Sequence, residues 1–189
     1  MQKRIIVGIS GASGALYAVR MLQKLRQTGY EVHLVVSDAA KVTIAHECGH
    51  LITVEQLCSE YCTYYHDAHN VGASIASGSF KTTGMVVVPC SVRTMSEIAS
   101  GITSSLLTRA ADVILKERKR LVLMPRETPL HLGHLRTMVS LAEMGAIIAP
   151  PIPAFYHHPK SLDDIVSNSV DRVLDILGVQ VSSQEWQGI

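Results

Sequence analysis

Neither sign of charge is in excess in this chain: 17 Lys and Arg stand against 16 Asp and Glu across 189 residues. With no basic stripe, the sequence argues against nucleic acid as a partner. It also lacks any apolar run near the roughly 18–20 residues that span a bilayer. The short run at 5–9 is interrupted by glycines, so it reads as a strand and not as a signal-peptide core. Cysteine is sparse, with only Cys48, Cys58, Cys62 and Cys90. Cys58 and Cys62 lie four apart and can open a zinc site, but no matching Cys or His pair follows with finger-like spacing. Free thiols in a reducing cytosol are the simpler expectation, with a cytoplasmic location and no metal. The G-x-G-x-x-G dinucleotide fingerprint and the Gly-Lys-Ser/Thr of a P-loop are both missing. Repeats, low-complexity tracts and linkers are missing too, and the length suits one compact domain.

What remains is an alternation of apolar strands and amphipathic helices. Residues 4–10 form a β-branched run ending in glycine, and 31–36 and 84–89 read as further buried strands. Segments 120–124 and 146–149 complete the strand set. Helices are expected over 13–27, with Ala15, Leu16, Val19, Leu22 and Leu25 on its apolar face, and over 37–47. Others are expected over 94–100, 104–118, 132–143 and 161–177. The last opens with a capping-box spacing at Ser161 and Asp164 and carries Leu162, Ile165, Val166, Val170, Val173, Leu174 and Leu177 as its stripe. The stretch 49–70 reads as a helix followed by a loop, and 73–79 as a loop. This pattern predicts an α/β fold: a doubly wound, mainly parallel sheet in a Rossmann- or flavodoxin-like three-layer sandwich.

Ligands of such sheets sit beyond the carboxyl ends of the strands. Three segments fall there. The first is Gly8-Ile-Ser-Gly-Ala-Ser-Gly14, whose glycines permit a tight turn and whose following helix offers N–H groups to an anion. A ligand-free tight turn is the alternative. The second strand ends at Ser37, where a dinucleotide enzyme places a ribose-binding acid; a hydroxyl suits phosphate or a flavin chain better. The second segment is Pro89-Cys-Ser-Val-Arg-Thr94. Ser91 and Thr94 fit a second polar pocket and fit a helix N-cap equally well. Cys90 reads as a small buried filler rather than a nucleophile. The third is Pro125-Arg-Glu-Thr-Pro-Leu130, a charged pair after a buried strand. Arg126 can clamp a phosphate, and Glu127 can move protons if it is buried. An internal Arg126–Glu127 salt bridge is the alternative. Arg109, Asp112 and Lys116 share one helix face, and Asp112–Lys116 alone is an ordinary surface pair. Arg172 lies at the edge of the last helix's stripe, and Tyr156 follows the proline-stiffened stretch at Pro150, Pro151 and Pro153.

Taken together, these segments resemble the UbiX-type flavin prenyltransferase family. The resemblance rests on Gly8-Ile-Ser-Gly-Ala-Ser-Gly14, Ala76-Ser-Gly-Ser79, Pro89-Cys-Ser91, Arg109-Ala-Ala-Asp-Val-Ile-Leu-Lys-Glu-Arg118, Leu123-Met-Pro-Arg-Glu-Thr-Pro129 and Pro153-Ala-Phe-Tyr156. It runs over about 4–178, which makes 1–178 a single flavin-binding domain and 179–189 a C-terminal tail. The resemblance implies transfer of a dimethylallyl group from dimethylallyl monophosphate to N5 and C6 of reduced FMN. The product is prenylated FMN for UbiD-type decarboxylases, as in ubiquinone biosynthesis, and the assembly is a homododecamer needing no metal. It assigns Gly11, Ala12, Ser13, Ser37, the 91–94 segment (Ser91, Val92, Arg93, Thr94) and Arg126 to FMN, with no side-chain role given to Val92 or Arg93. Tyr156 and Arg172 fall to the prenyl phosphate, with Arg109 and Lys116 nearby. Glu127, Lys116 and Glu47 form the catalytic set, and Trp186 matches a C-terminal aromatic that closes over the site. Sites in this family lie where subunits meet.

Three other readings are weighed against this one. FMN-dependent cysteine decarboxylases share the fold but usually show Pro-x-Ser-x-Asn-Thr, and this chain has no Asn there. A non-catalytic flavin carrier has no need of Lys116, Glu127, Tyr156 and Arg172 beside the flavin. A direct aromatic-acid decarboxylase finds no supporting feature in the sequence.

Overall fold

A computed structural model describes residues 3–49, 52–181 and 188. Trp186 lies outside the described residues. Six strands form one wholly parallel sheet: β1 (Arg4–Ile9), β2 (Glu31–Val36), β3 (Tyr64–His66), β4 (Gly84–Cys90), β5 (Arg120–Pro125) and β6 (Ile147–Ile148). Their spatial order is β3-β2-β1-β4-β5-β6, the doubly wound Rossmann order. The winding reverses between β1 and β4, which puts a crevice at their carboxyl ends.

The strands read as continuous Ile/Val/Leu runs because both faces are covered. Ile5, Val7, Ile9, Val86, Val88 and Val122 pack into one layer, against α1 (Ala15–Gln27), α2 (Asp38–Glu47), α3 (Val54–Tyr61) and α7 (Leu162–Leu177). Ile6, Met85, Val87, Leu121 and Leu123 pack into the other, against α4 (Val92–Ala99), α5 (Leu106–Lys116) and α6 (Leu132–Glu143).

Several expectations shift in detail. The helix after β4 starts at Val92, not at 94, because Ser91 accepts the Thr94 N–H and caps it. Leu16 and Leu162, expected on apolar faces, are 41% and 64% exposed. The capping box of α7 is present, with Ser161 and Asp164 exchanging hydrogen bonds. The loop 73–79 contains a 3-10 turn at Ser74–Ala76.

The larger correction is β3, in a stretch expected to be a loop. Its three residues pair with β2 and explain the histidine and tyrosine there. His33 is buried, with Nε2 2.9 Å from Glu31 Oε1 and Nδ1 2.9 Å from His66 Nε2, and its ring stacks on Tyr64. Cys58 and Cys62 close α3, where the Cys62 thiol donates to the Cys58 carbonyl at 3.1 Å. Among the described residues no group of three His, Cys, Asp or Glu side chains is placed to hold a metal. No helix among them is long and apolar enough to cross a membrane.

Candidate active site at the strand ends

Hydrogen bonds across the switch point tie the three strand-end segments together. The Ser10 hydroxyl donates to the Pro89 carbonyl at 2.8 Å and accepts the Ser91 N–H at 2.7 Å. Arg126 N–H donates to the Cys90 carbonyl at 3.3 Å, and Arg126 Nε donates to the Ser13 carbonyl at 3.2 Å. The β1 turn, the β4 turn and the β5 exit therefore form one rim. Ser10 had no place among the expected site residues; a small hydroxyl inside a glycine turn carries no periodic signal.

The glycines of the turn do two different jobs. Gly14 sits at φ +115°, a left-handed conformation that strains other residues. Gly11 is needed for packing: a Cβ there would lie 2.5 Å from the Ala39 Cβ of α2. Ser37 caps α2 by accepting the Ala40 N–H at 3.2 Å, and its hydroxyl keeps one donor to offer.

The start of α1 corrects the expectation of free N–H groups. Gly14 supplies no side-chain cap, and Glu47 takes that place from the far end of α2. One oxygen, Oε2, accepts both the Gly14 and the Ala15 N–H at 2.8 Å. Burial pushes the Glu47 carboxyl up, but the Ser13 hydroxyl, these two N–H groups and the nearby Arg126 charge outweigh it and hold it below its ordinary range. Glu47 is thus an ionised cap at the rim. The anion-binding donors left in the turn are the N–H groups of Gly11, Ala12 and Ser13, none of which is bonded among the described residues. With the Ser37 hydroxyl and the outer N–H groups of Arg126, they suit the phosphate of a mononucleotide. That donor set fits FMN.

In the 91–94 segment the N-cap reading is the geometry observed. The Ser91 hydroxyl accepts the Thr94 N–H and donates to Thr94 Oγ1 at 3.0 Å. Val92 is half-buried, and Arg93 is exposed and pairs with Glu97 at 2.8 Å. Cys90 is fully buried, which pushes its thiol up to about 12, as befits an inert filler.

Beyond β5, Arg126 and Glu127 do not pair with each other. Arg126 reaches back to Ser13, and the Glu127 carboxylate accepts its neighbour's Thr128 N–H at 3.0 Å. Glu127 is exposed in this chain, so the burial expected of it is not supplied by its own subunit. Tyr156 and Arg172 are brought together. They line one cleft of about 550 Å³ between the 149–157 stretch and α7, with Met124, two residues before Arg126, among its walls.

Lys116 is not brought to this rim, and Arg109, in the first turn of α5, is engaged by Asp112. The expected Asp112–Lys116 pair does not form; Arg109 takes Asp112 at 2.7 Å, and Lys116 pairs with Glu117. Lys116 ends α5 just before β5 begins, beside Gly78, at the amino edge of the sheet. Glu127 follows β5 at the carboxyl edge, one strand length or roughly 20 Å away. Within one chain, Lys116 and Glu127 face opposite edges.

Comparison with known proteins fits this geometry. A family described as Flavoprotein matches residues 1–174. Flavin prenyltransferase UbiX of Thauera aromatica is 54% identical over 98% of this chain and 94% of its own. The namesake of Salmonella typhi is 53% identical over 98% and 99%. Among solved structures, AnUbiX (PadA1) in complex with FMN and dimethylallyl pyrophosphate superposes with a TM-score of 0.96 at 40% identity, over all of both chains. A dodecameric FMN-dependent UbiX-like decarboxylase from Escherichia coli superposes with a TM-score of 0.93 at 44% identity, covering 98% of this chain and 100% of that one. The peptidyl-cysteine decarboxylase EpiD, at 17% identity and a TM-score of 0.67, shares the fold.

Proposed function

The chain belongs to the Flavoprotein family, among its UbiX-type flavin prenyltransferases, and on that premise we propose that it joins a dimethylallyl group to reduced FMN. The single observation that carries the reading is the pairing of a mononucleotide rim with a separate Tyr156–Arg172 cleft along the same carboxyl edge. A flavin carrier needs only the rim. Reduced FMN supplies the nucleophilic positions, N5 and C6, and leaves the protein as prenylated FMN for a UbiD-type decarboxylase, as in ubiquinone biosynthesis.

The chain's own residues then have distinct roles. The Gly11, Ala12 and Ser13 N–H groups, Ser37 and Arg126 hold the flavin phosphate, and the 91–94 turn lies against the flavin. Arg172 and Tyr156 hold the phosphate of dimethylallyl monophosphate. Charge building on that leaving phosphate is stabilised by the guanidinium, which is already in place before the C–O bond breaks. Buried Met124 gives the cleft one apolar wall for the allylic group, and full exclusion of water from the allylic carbon falls to the assembled oligomer. Glu127 moves the proton released as the second bond closes. Glu47 keeps the glycine turn in shape through Gly14 and Ala15. The flavin-binding unit is the domain 1–178, with 179–189 as a tail that carries Trp186.

A homododecamer completes the site in this reading, because Lys116 reaches a flavin only from a neighbouring subunit. A cytoplasmic setting goes with it: reduced flavin and four free cysteines both call for a reducing compartment. The test is direct. Purified protein given reduced FMN and dimethylallyl monophosphate should return a flavin heavier by one C5H8 unit in mass spectrometry. Bound FMN of unchanged mass would establish the carrier instead.

A further inference from the structure

Two thiols share a cavity that the carboxyl-edge site does not use. Cys58 and Cys62 both line a hollow of about 710 Å³ between α2, α3 and β3, with Lys41 and Tyr65 on the same walls. They stand one helical turn apart at the end of α3, where the Cys62 N–H donates to the Cys58 carbonyl at 3.3 Å. One turn sets their Cα atoms roughly 6 Å apart, inside the range of about 4.4–6.8 Å that a disulfide bridges. Side chains at this spacing lie on one helix face. The bond from the Cys62 thiol to the Cys58 carbonyl, at 3.1 Å, holds its sulfur over that turn. Cys62 is the C-cap and has an extended backbone at ψ 155°, so its side chain is not confined to a helical setting. The two thiols are also unequal. A hydrogen bond between them pushes Cys58 up and holds Cys62 below its ordinary value, against the opposing effect of burial. Burial instead raises Cys48 and Cys90, and the Glu47 charge raises Cys48 further.

We propose that Cys58 and Cys62 are a thiol–disulfide exchange site, at which a small disulfide such as oxidised glutathione forms an intramolecular Cys58–Cys62 bond. Cys62 attacks first, as its thiolate. It bonds to one sulfur of the small disulfide, whose S–S bond breaks, and the departing thiolate takes up a proton. Cys58 then gives its proton to solvent and attacks the Cys62 sulfur, which releases the second small thiol. Two cysteines are oxidised and one small disulfide is reduced to two thiols. Such bonds in a reducing compartment are transient and serve redox sensing. The pair closes α3 just before β3 begins, at the amino edge of the sheet, whereas the flavin rim lies at the carboxyl edge. The exchange site therefore stands whether or not the chain transfers a prenyl group.

The experiment takes full-length protein with FMN bound through buffers of graded reduced and oxidised glutathione. Free thiols are then alkylated in denaturant and located by peptide mass spectrometry. Oxidation should remove alkylation from Cys58 and Cys62 together, with a loss of two hydrogens from the peptide that carries both. Cys48 and Cys90 should stay alkylated, and dithiothreitol should restore all four. Cys58→Ser should stop halfway, with one glutathione left on Cys62. Cys62→Ser should take glutathione onto Cys58 roughly tenfold more slowly, the factor for one pKa unit of thiolate. Equal rates in the two variants would overturn Cys62 as the attacking thiol. A mixed disulfide that persists on the wild type, a bridge to Cys48, or four thiols still free in the most oxidising buffer would each overturn the site. FMN retained by each variant shows that it folds, and the wild-type map decides the bridge without either of them.

Discussion

Ser10 and Ser91, 81 residues apart, are joined by a 2.7 Å hydrogen bond in which the Ser10 hydroxyl accepts the Ser91 N–H. The same buried hydroxyl donates to the Pro89 carbonyl. One side chain at the end of β1 thus fixes the β4 turn and satisfies two backbone groups. Ser10→Ala leaves the Ser91 N–H without its acceptor, while the Pro89 carbonyl keeps the residue-10 backbone N–H at 3.2 Å; the lost pairing costs about 1–3 kcal/mol. Urea unfolding should show that loss, and FMN titration should show weaker binding, because the 91–94 turn is no longer held against the glycine turn. Unchanged stability together with unchanged FMN affinity would remove Ser10 from the rim.

Glu47 gives a second, pH-dependent expectation. Its carboxyl is held below its ordinary value of 4.5 in the folded chain. A group lowered on folding contributes stability that is fully present above its unfolded value and is lost as pH falls through the folded one. Acidification below about pH 4.5 should therefore erode stability partly through Glu47. Glu47→Gln should flatten that acid limb. Near neutral pH it should cost about 1 kcal/mol, as loss of a helix cap does. The check is chemical unfolding of both proteins from pH 3 to 7 (about the span of carboxylate titration).

The sequence made strands β1, β2, β4 and β5 legible because a strand buried on both faces must be a continuous apolar run. It made α7 legible because a capping box and a stripe agree there. β3 escaped, since three residues with exposed Tyr64 and Tyr65 owe their conformation to the β2 backbone and to buried His33. The candidate site was legible as residue types and strand-end positions, and Tyr156 and Arg172 line one cleft. Its internal contacts were not. The Gly11 spacing invites a ligand, yet the close approach it allows is that of Ala39. Glu47 caps a helix that starts 32 residues before it, a contact no local pattern encodes. Lys116 and Glu127 lie 11 positions apart in the chain, and only the direction of β5 shows that they face opposite edges.

Among the described residues exposed Glu127 is bonded only to its neighbour Thr128, so it takes no part there in holding the fold. Glu127→Gln should leave stability within about 0.5 kcal/mol of wild type. FMN binding should also be kept, because the phosphate donors lie at the glycine turn and Arg126. Product formation should fall by about 10²–10⁴, the range for loss of a proton-transfer group. Stopped turnover assays with mass detection of the flavin check this, and an unchanged rate takes Glu127 out of the mechanism.

The separation of Lys116 from Glu127 makes a stricter prediction about assembly. If Lys116 acts on the prenyl phosphate, it acts in the site of a neighbouring subunit, because its own chain presents it at the other edge of the sheet. Lys116→Ala and Glu127→Gln homo-oligomers should each be nearly inactive. Co-expressed, the two variants should form mixed oligomers in which some sites receive Lys116 from one chain and Glu127 from another, and those sites should turn over. Activity recovered in mixed oligomers beyond the sum of the two parents supports a site built from several chains. Mixed oligomers that form, as shown by tagged pull-down, yet stay inactive would confine the reaction to a single chain and leave Lys116 a surface residue paired with Glu117.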